Sequence, residues 1–124
     1  MANLPSSAAA PVLLFDALGV YRMLSSVTDP AGIEVFMNDQ LGAVLEYDSR
    51  HHSGLLLTLA QYFDSGCNID RAAAELSVHR STLKYRLKRI RELLGQDLND
   101  GPTRLNLHLA ARVWLTLESL RRTE

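Results

Sequence analysis

The sequence predicts an all-α protein. Three observations point that way. Apolar residues recur three or four positions apart in almost every segment. Asp, Asn, Ser and Pro stand where those patterns begin, and Gly where they end. No segment of useful length alternates apolar and polar residues as a strand would. The chain has 124 residues, enough for one compact domain with or without an arm. Apolar residues make up 47% and aromatic residues only 6%, so the core must be built mainly of Leu, Ala, Val and Ile.

The elements follow in order. Residues 1–11 are small and Pro-bounded, which predicts a disordered arm or linker. From Val12 to Leu24, Leu14, Phe15, Leu18, Tyr21 and Met23 keep helical spacing. Asp29-Pro30 is a helix start, with Asp as N-cap and Pro at the first helical position. The stretch that follows, to Asp48, holds one helix and a second short turn near Leu41–Tyr47. Asp48-Ser49 caps a further helix on the stripe Leu55/Leu56, Leu59, Tyr62/Phe63, and Ser65-Gly66 ends it. Asn68 caps a short helix whose Ile69, Ala72, Ala73 and Leu76 share one face. Ser77-Val78-His79 is a turn. The next helix spans about 80–94, with Leu83, Leu87, Ile90 and Leu94 inward and Gly95 as its stop. Asp100-Gly101-Pro102 opens the last helix with Pro102 at the first helical position, and that helix is expected to carry Leu105, Leu109, Val113, Leu117 and Leu120 inward, with Trp114 beside them. This divides the chain into an arm (1–11), N-terminal helices that extend the core or dimerise (12–64), and a helix-turn-helix unit with a C-terminal helix (65–124).

The net charge of −1 conceals an asymmetry. Residues 1–70 carry two bases, Arg22 and Arg50, against eight acids; residues 71–124 carry the other eleven bases against six acids. The charge gathers in HRSTLKYRLKRIREL, residues 79–93, where Lys or Arg fills six positions. A solvated helix gains i,i+4 pairs by alternating sign, but Glu92 is the only acid between Arg80 and Leu94. Two helices joined by about three residues, the second this basic, is the layout of a helix-turn-helix. Ala73 is small where the helices cross, and Leu83 fills the angle between them. Ser77 occupies a place where many such turns use Gly to reach a left-handed conformation. Either Ser77 takes that conformation or the turn avoids it.

A helix with this face fits the B-DNA major groove, about 12 Å wide. The first residues of a recognition helix reach base edges, and later ones reach phosphates. His79, Arg80, Ser81 and Tyr85 are therefore the base-contact candidates. Arg80 can fork onto guanine, and Tyr85 can pack on a thymine methyl. Thr82, Lys84, Arg86, Lys88 and Arg89 are the phosphate candidates, with Arg86 and Arg89 towards the flanks. If about five bases neutralise phosphates, binding weakens with salt at a log–log slope of roughly −4 to −5. The rival is a helical dimerisation module whose basic helix docks on an acidic protein.

The run NIDRAAAELSVHRSTLKYRLKRIRELLGQDL resembles the C-terminal DNA-binding domain of PucR/CdaR-type bacterial transcription regulators. LGAVLEYD and LLLTLAQYFDSGCN resemble that family's lead-in helices, and TRLNLHLAARVWL its last helix, so the likeness covers about 41–117. The family pattern often has Asn where Ser81 stands. The resemblance implies a Fis-like helix-turn-helix with additional N-terminal helices that binds double-stranded DNA as a homodimer. It also implies a sensory domain for a small-molecule effector, absent from these 124 residues.

Other chemistry finds little support. Cys67 is the only cysteine, so neither an internal disulfide nor a zinc ribbon is expected. His51 and His52 are adjacent and diverge on a helix, and the four histidines show no ligand spacing. No metal or other cofactor is expected. His79 caps the following helix or meets a phosphate; His108 is a boundary residue; Trp114 is core. There is no Gly-rich phosphate loop, nucleophile elbow or paired carboxylate, which argues against an enzyme. With no basic n-region and no apolar run of about 18 residues, a cytoplasmic protein without a membrane span is expected.

Overall fold

The computed structural model describes residues 30–122; the expected arm at 1–11 and helix at 12–24 lie outside them. Among the described residues there are five helices and no strand: α1 (Pro30–His51), α2 (Leu55–Asp64), α3 (Ile69–Leu76), α4 (Arg80–Leu94) and α5 (Gly101–Arg122). No helix of the described residues is long and apolar enough to cross a membrane.

α1 starts at Pro30 as expected, since the fixed φ of proline suits a first turn. The expected interruption near Leu41–Tyr47 does not occur. α1 runs unbroken through Gly42 because Met37, Leu41 and Val44 lie on one stripe, all buried in the core. Gly inside a helix costs about 1 kcal/mol relative to Ala. Burying a side chain such as Leu contributes about 1.5–3 kcal/mol, so tertiary packing wins.

α2 begins later than the sequence suggested. Asp48 falls in the last turn of α1, and the chain turns through His52 (φ 51°) and Gly54 (φ 68°) before Leu55. Asp48 nevertheless caps α2 from outside. Its Oδ1 accepts from the Leu55 N–H at 2.8 Å and its Oδ2 from the Leu56 N–H at 2.9 Å. The Ser53 hydroxyl donates to Oδ1 as well. The helix ends as expected, with Gly66 at φ 68°.

α3 opens on Asn68, whose side chain accepts from the Arg71 N–H at 2.9 Å. It ends in a Schellman arrangement: Val78 N–H donates to Ala73 C=O at 3.0 Å and Ser77 N–H to Ala74 C=O at 3.1 Å. Ser77 takes the left-handed conformation, φ 57° and ψ 43°. The turn does not avoid the strain that a glycine would escape, because the two capping bonds require that residue to be left-handed. Ala72 and Ala73 are buried, and Leu83 of α4 has no exposed surface.

α4 has the expected bounds, with Leu83, Leu87 and Ile90 buried and Gly95 closing it at φ 64°. Leu94, expected inward, is only partly buried. α5 packs on α1 and α2. Its first turn is capped by Asp100, whose Oδ2 accepts from the Thr103 N–H at 3.1 Å and hydroxyl at 2.8 Å. Pro102 is therefore the second helical residue, not the first. The expected inner face is also displaced. Leu107, Ala110, Ala111 and Val113 are buried, with Trp114 and Leu117 packed at the edge. Leu105 is 68% exposed and Leu120 44%. Leucines occur nearly all round this helix, so spacing alone does not choose between two overlapping stripes.

Candidate nucleic-acid interface

α4 owes its position to its three buried residues and to contacts on both flanks. Seen along its axis, Leu83, Leu87 and Ile90 point into the core. The opposite side exposes Arg80, Ser81, Thr82, Lys84, Tyr85, Lys88 and Arg91. Tyr85 is 59% exposed, an unusual setting for a large aromatic that a packed core would otherwise absorb. The face is thus cationic, convex and uncovered by the other described residues, with one aromatic at its centre.

His79 is the N-cap of α4. Its Nδ1 accepts from the Ser81 N–H at 3.1 Å and lies 2.9 Å from the Ser81 hydroxyl. The cap ties His79 and Ser81 together at the leading end of the helix. Arg80, beside them, donates from Nε to Asp70 Oδ1 of α3 at 2.8 Å.

The two flanking arginines behave differently from the other basic residues. Arg86 is half-buried and turns towards α2, where its Nη1 donates to Thr58 Oγ1 at 3.1 Å. Thr58 has no exposed surface, and its own hydroxyl donates to Gly54 C=O at 2.8 Å. Arg89 lies on the other flank, its guanidinium carbon 5.7 Å from the Tyr47 ring centre of α1 and 6.0 Å from that of Tyr85. It donates to the Tyr85 hydroxyl at 3.3 Å and to Glu92 at 3.2 Å. The Tyr85 hydrogen bond holds the Arg89 proton more firmly than usual. Arg89 Nε is buried and meets no hydrogen-bond acceptor among the described residues, so the ring faces supply much of its setting. Tyr47 in turn packs on His51, ring centres 4.2 Å apart.

Of the nine residues singled out from the sequence, His79, Arg80, Ser81, Thr82, Lys84, Tyr85 and Lys88 share one exposed surface. Arg86 and Arg89 lie at its edges, Arg86 donating from Nη1 and Arg89 from Nη1 and Nη2 to protein acceptors. Sequence reasoning missed two partners of these groups, Thr58 for Arg86 and Asp70 for Arg80. Neither is within four residues of what it holds, so no local pattern announces it. It also missed Asp64 at the end of α2, which accepts from Arg112 Nη2 at 2.8 Å with His108 Nε2 3.5 Å away. His108 stacks on Phe63, ring centres 5.0 Å apart, which is the boundary position expected of it. Among the described residues no group of three or more His, Cys, Asp or Glu side chains is arranged to hold a metal ion.

Residues 55–113 match the family model described as the PucR C-terminal helix-turn-helix domain. Similar curated proteins include the proline-responsive transcriptional activator PutR of Bacillus subtilis, 36% identical over 92 residues (74% of this chain, 22% of that protein). The purine catabolism regulatory protein of Bacillus subtilis is 40% identical over 81 residues, 65% of this chain and 15% of that protein. The carbohydrate diacid regulator of Escherichia coli is 41% identical over 63 residues, 50% of this chain and 16% of that protein. The chain therefore spans less than a quarter of the length of each of these relatives. No solved structure matches.

Proposed function

Through residues 55–113 this chain belongs to the family of PucR C-terminal helix-turn-helix domains, the DNA-binding part of transcriptional regulators and not an enzyme, and from that premise we propose how it engages DNA. α4 lies in the major groove of duplex DNA as the recognition helix and reads a specific sequence. The observation that carries this reading is the split of α4 into a buried apolar side and an uncovered cationic side.

On this reading the leading end of α4 meets the bases. Arg80 forks onto guanine, the commonest specific pairing in the major groove. Ser81 and Tyr85 contact neighbouring base edges or a thymine methyl, and His79 holds Ser81 in place from the cap. Thr82, Lys84 and Lys88 reach phosphates. Arg86 and Arg89 belong with them at the rim but contribute less, because each already donates to a protein acceptor. They act chiefly by fixing α4 against α2 and α1.

Two copies binding together would set two α4 helices one DNA turn, about 34 Å, apart. A homodimer is the arrangement that a pseudo-symmetric operator needs. A regulator carrying this domain would take a small-molecule signal through a different domain and act in the cytoplasm. The names of the relatives support a metabolic signal for this kind of regulator, since one is proline-responsive.

The test is a titration of duplex DNA in rising salt, comparing Arg80→Ala with Lys88→Ala. Arg80→Ala is expected to relax preference at one base position by about 1–3 kcal/mol. Lys88→Ala is expected to weaken all duplexes alike and reduce the salt slope by about one. Salt-independent binding, or no binding to any duplex, would overturn the reading.

A further inference from the structure

We propose that Asp70 is a specificity-determining residue: its carboxylate holds the Arg80 guanidinium by Nε and thereby aims the two terminal amino groups at a guanine. This rests on the reading of α4 as the recognition helix. Asp70 lies in the first turn of α3, and Arg80 is the first residue of α4. The 2.8 Å contact between Arg80 Nε and Asp70 Oδ1 therefore spans the two arms of the helix-turn-helix.

Three considerations give this pair a role beyond stability. First, both side chains are open to solvent, 52% for Arg80 and 73% for Asp70. An ion pair so exposed contributes little to folding. Second, the contact uses only Nε. A guanidinium has five donors in a planar fork; with Nε given to Asp70, the end-on pair, one N–H from each of Nη1 and Nη2, points away from the carboxylate. Guanine offers O6 and N7 on its major-groove edge, and two parallel N–H groups satisfy both. An arginine can present that fork end-on or side-on; occupation of Nε by a carboxylate leaves the end-on mode. Third, a long flexible side chain loses rotamer freedom on binding, and a partner that orders it beforehand removes part of that loss.

The sign of the charge matters too. Asp70 is an acid beside a face that meets phosphate, so it weakens binding to every duplex. Where guanine is present, the positioned fork offsets that penalty; where it is absent, the penalty stands. The residue thus widens the gap between right and wrong sites by opposing the wrong ones as well as favouring the right.

The experiment uses the 124-residue chain. Binding-site selection from a random DNA pool first supplies a preferred duplex. Dissociation constants are then measured for that duplex, for its single-base variants and for a random duplex. The proteins compared are the unmodified chain, Arg80→Ala, Asp70→Ala, Asp70→Asn and the double alanine variant, each checked for its helical circular dichroism. Arg80→Ala should lower discrimination at one guanine by about tenfold or more, and Asp70→Ala by about threefold to fivefold at the same guanine only. Asp70→Ala should also tighten binding to the random duplex. Asp70→Asn keeps an acceptor for Nε, so it should retain discrimination within about twofold while sharing that tightening. The double variant should discriminate no worse than Arg80→Ala. If Asp70→Ala tightens every duplex by one factor and leaves discrimination unchanged, Asp70 merely repels DNA and the proposal is overturned. If Arg80→Ala alters preference at no base, the reading of Arg80 as a base reader fails first, and the role of Asp70 falls with it.

Discussion

The carboxylate of Asp48 joins α1 to α2, and its removal is expected to be the most damaging exposed-edge substitution in the domain. Asp48 accepts from the Leu55 and Leu56 N–H groups and from the Ser53 hydroxyl. Those two N–H groups belong to the first turn of α2, which has no partners of its own, and the N-cap Gly54 offers no side chain to replace them. Loss of one ordinary side-chain cap costs about 1 kcal/mol. Here three donors lose a charged acceptor, and each such bond is worth about 1.5–3 kcal/mol when water cannot substitute. Asp48 is only partly buried, so water recovers much of that. Asp48→Ala should therefore cost about 2–3 kcal/mol and lower Tm by about 10 °C or more. Asp48→Asn keeps one oxygen for Leu55 but turns an amino group towards the Leu56 N–H, so it should recover only part of the loss. Urea unfolding followed by circular dichroism measures both. A loss below about 0.5 kcal/mol for Asp48→Ala would refute the view that this cap holds α2 in place.

Three further outcomes follow from the same geometry. Ser77 is left-handed at φ 57°, which costs an L-residue about 1–2 kcal/mol, so Ser77→Gly should raise the urea midpoint by the equivalent of about 0.5–1 kcal/mol. Thr58→Val keeps the volume but leaves Arg86 Nη1 without its acceptor, so stability should fall by about 1–2 kcal/mol, and Thr58→Val with Arg86→Met should lose less than the two singly summed. The hydrogen bonds from Thr103 hold the Asp100 carboxyl below its ordinary value of 3.8, so its contribution is present above that value and is lost as pH falls through the lowered one. Thr103→Val should accordingly be less stable than the unmodified chain near pH 7 in urea unfolding, and the difference should vanish as pH falls through the Asp100 values.

Several elements were legible because their signals are local. Asn68 and Gly95 bracket the helix-turn-helix, and α3 and α4 have the bounds the sequence suggested. A cap acts within three residues and a turn within five, so consecutive residues carry the information. The errors share a different origin. The second short turn expected near Leu41–Tyr47 is instead part of α1, because burial of Met37, Leu41 and Val44 outweighs the poor propensity of Gly42. Leu105 and Leu120 read as core on α5 yet face outward, because the choice among overlapping stripes belongs to the surfaces of α1 and α2.

Sequence alone determined that a short cationic helix follows a small one across a tight turn, and that Leu83, Leu87 and Ile90 turn inward. Only the tertiary structure decided what three of the four arginines of that helix do. Arg80 is met by Asp70 ten positions back, Arg86 by Thr58 across 28, and Arg89 by the rings of Tyr47 and Tyr85. Helical periodicity sets the direction in which a side chain leaves its own axis. The identity of the atom that waits there depends on where three other helices pack.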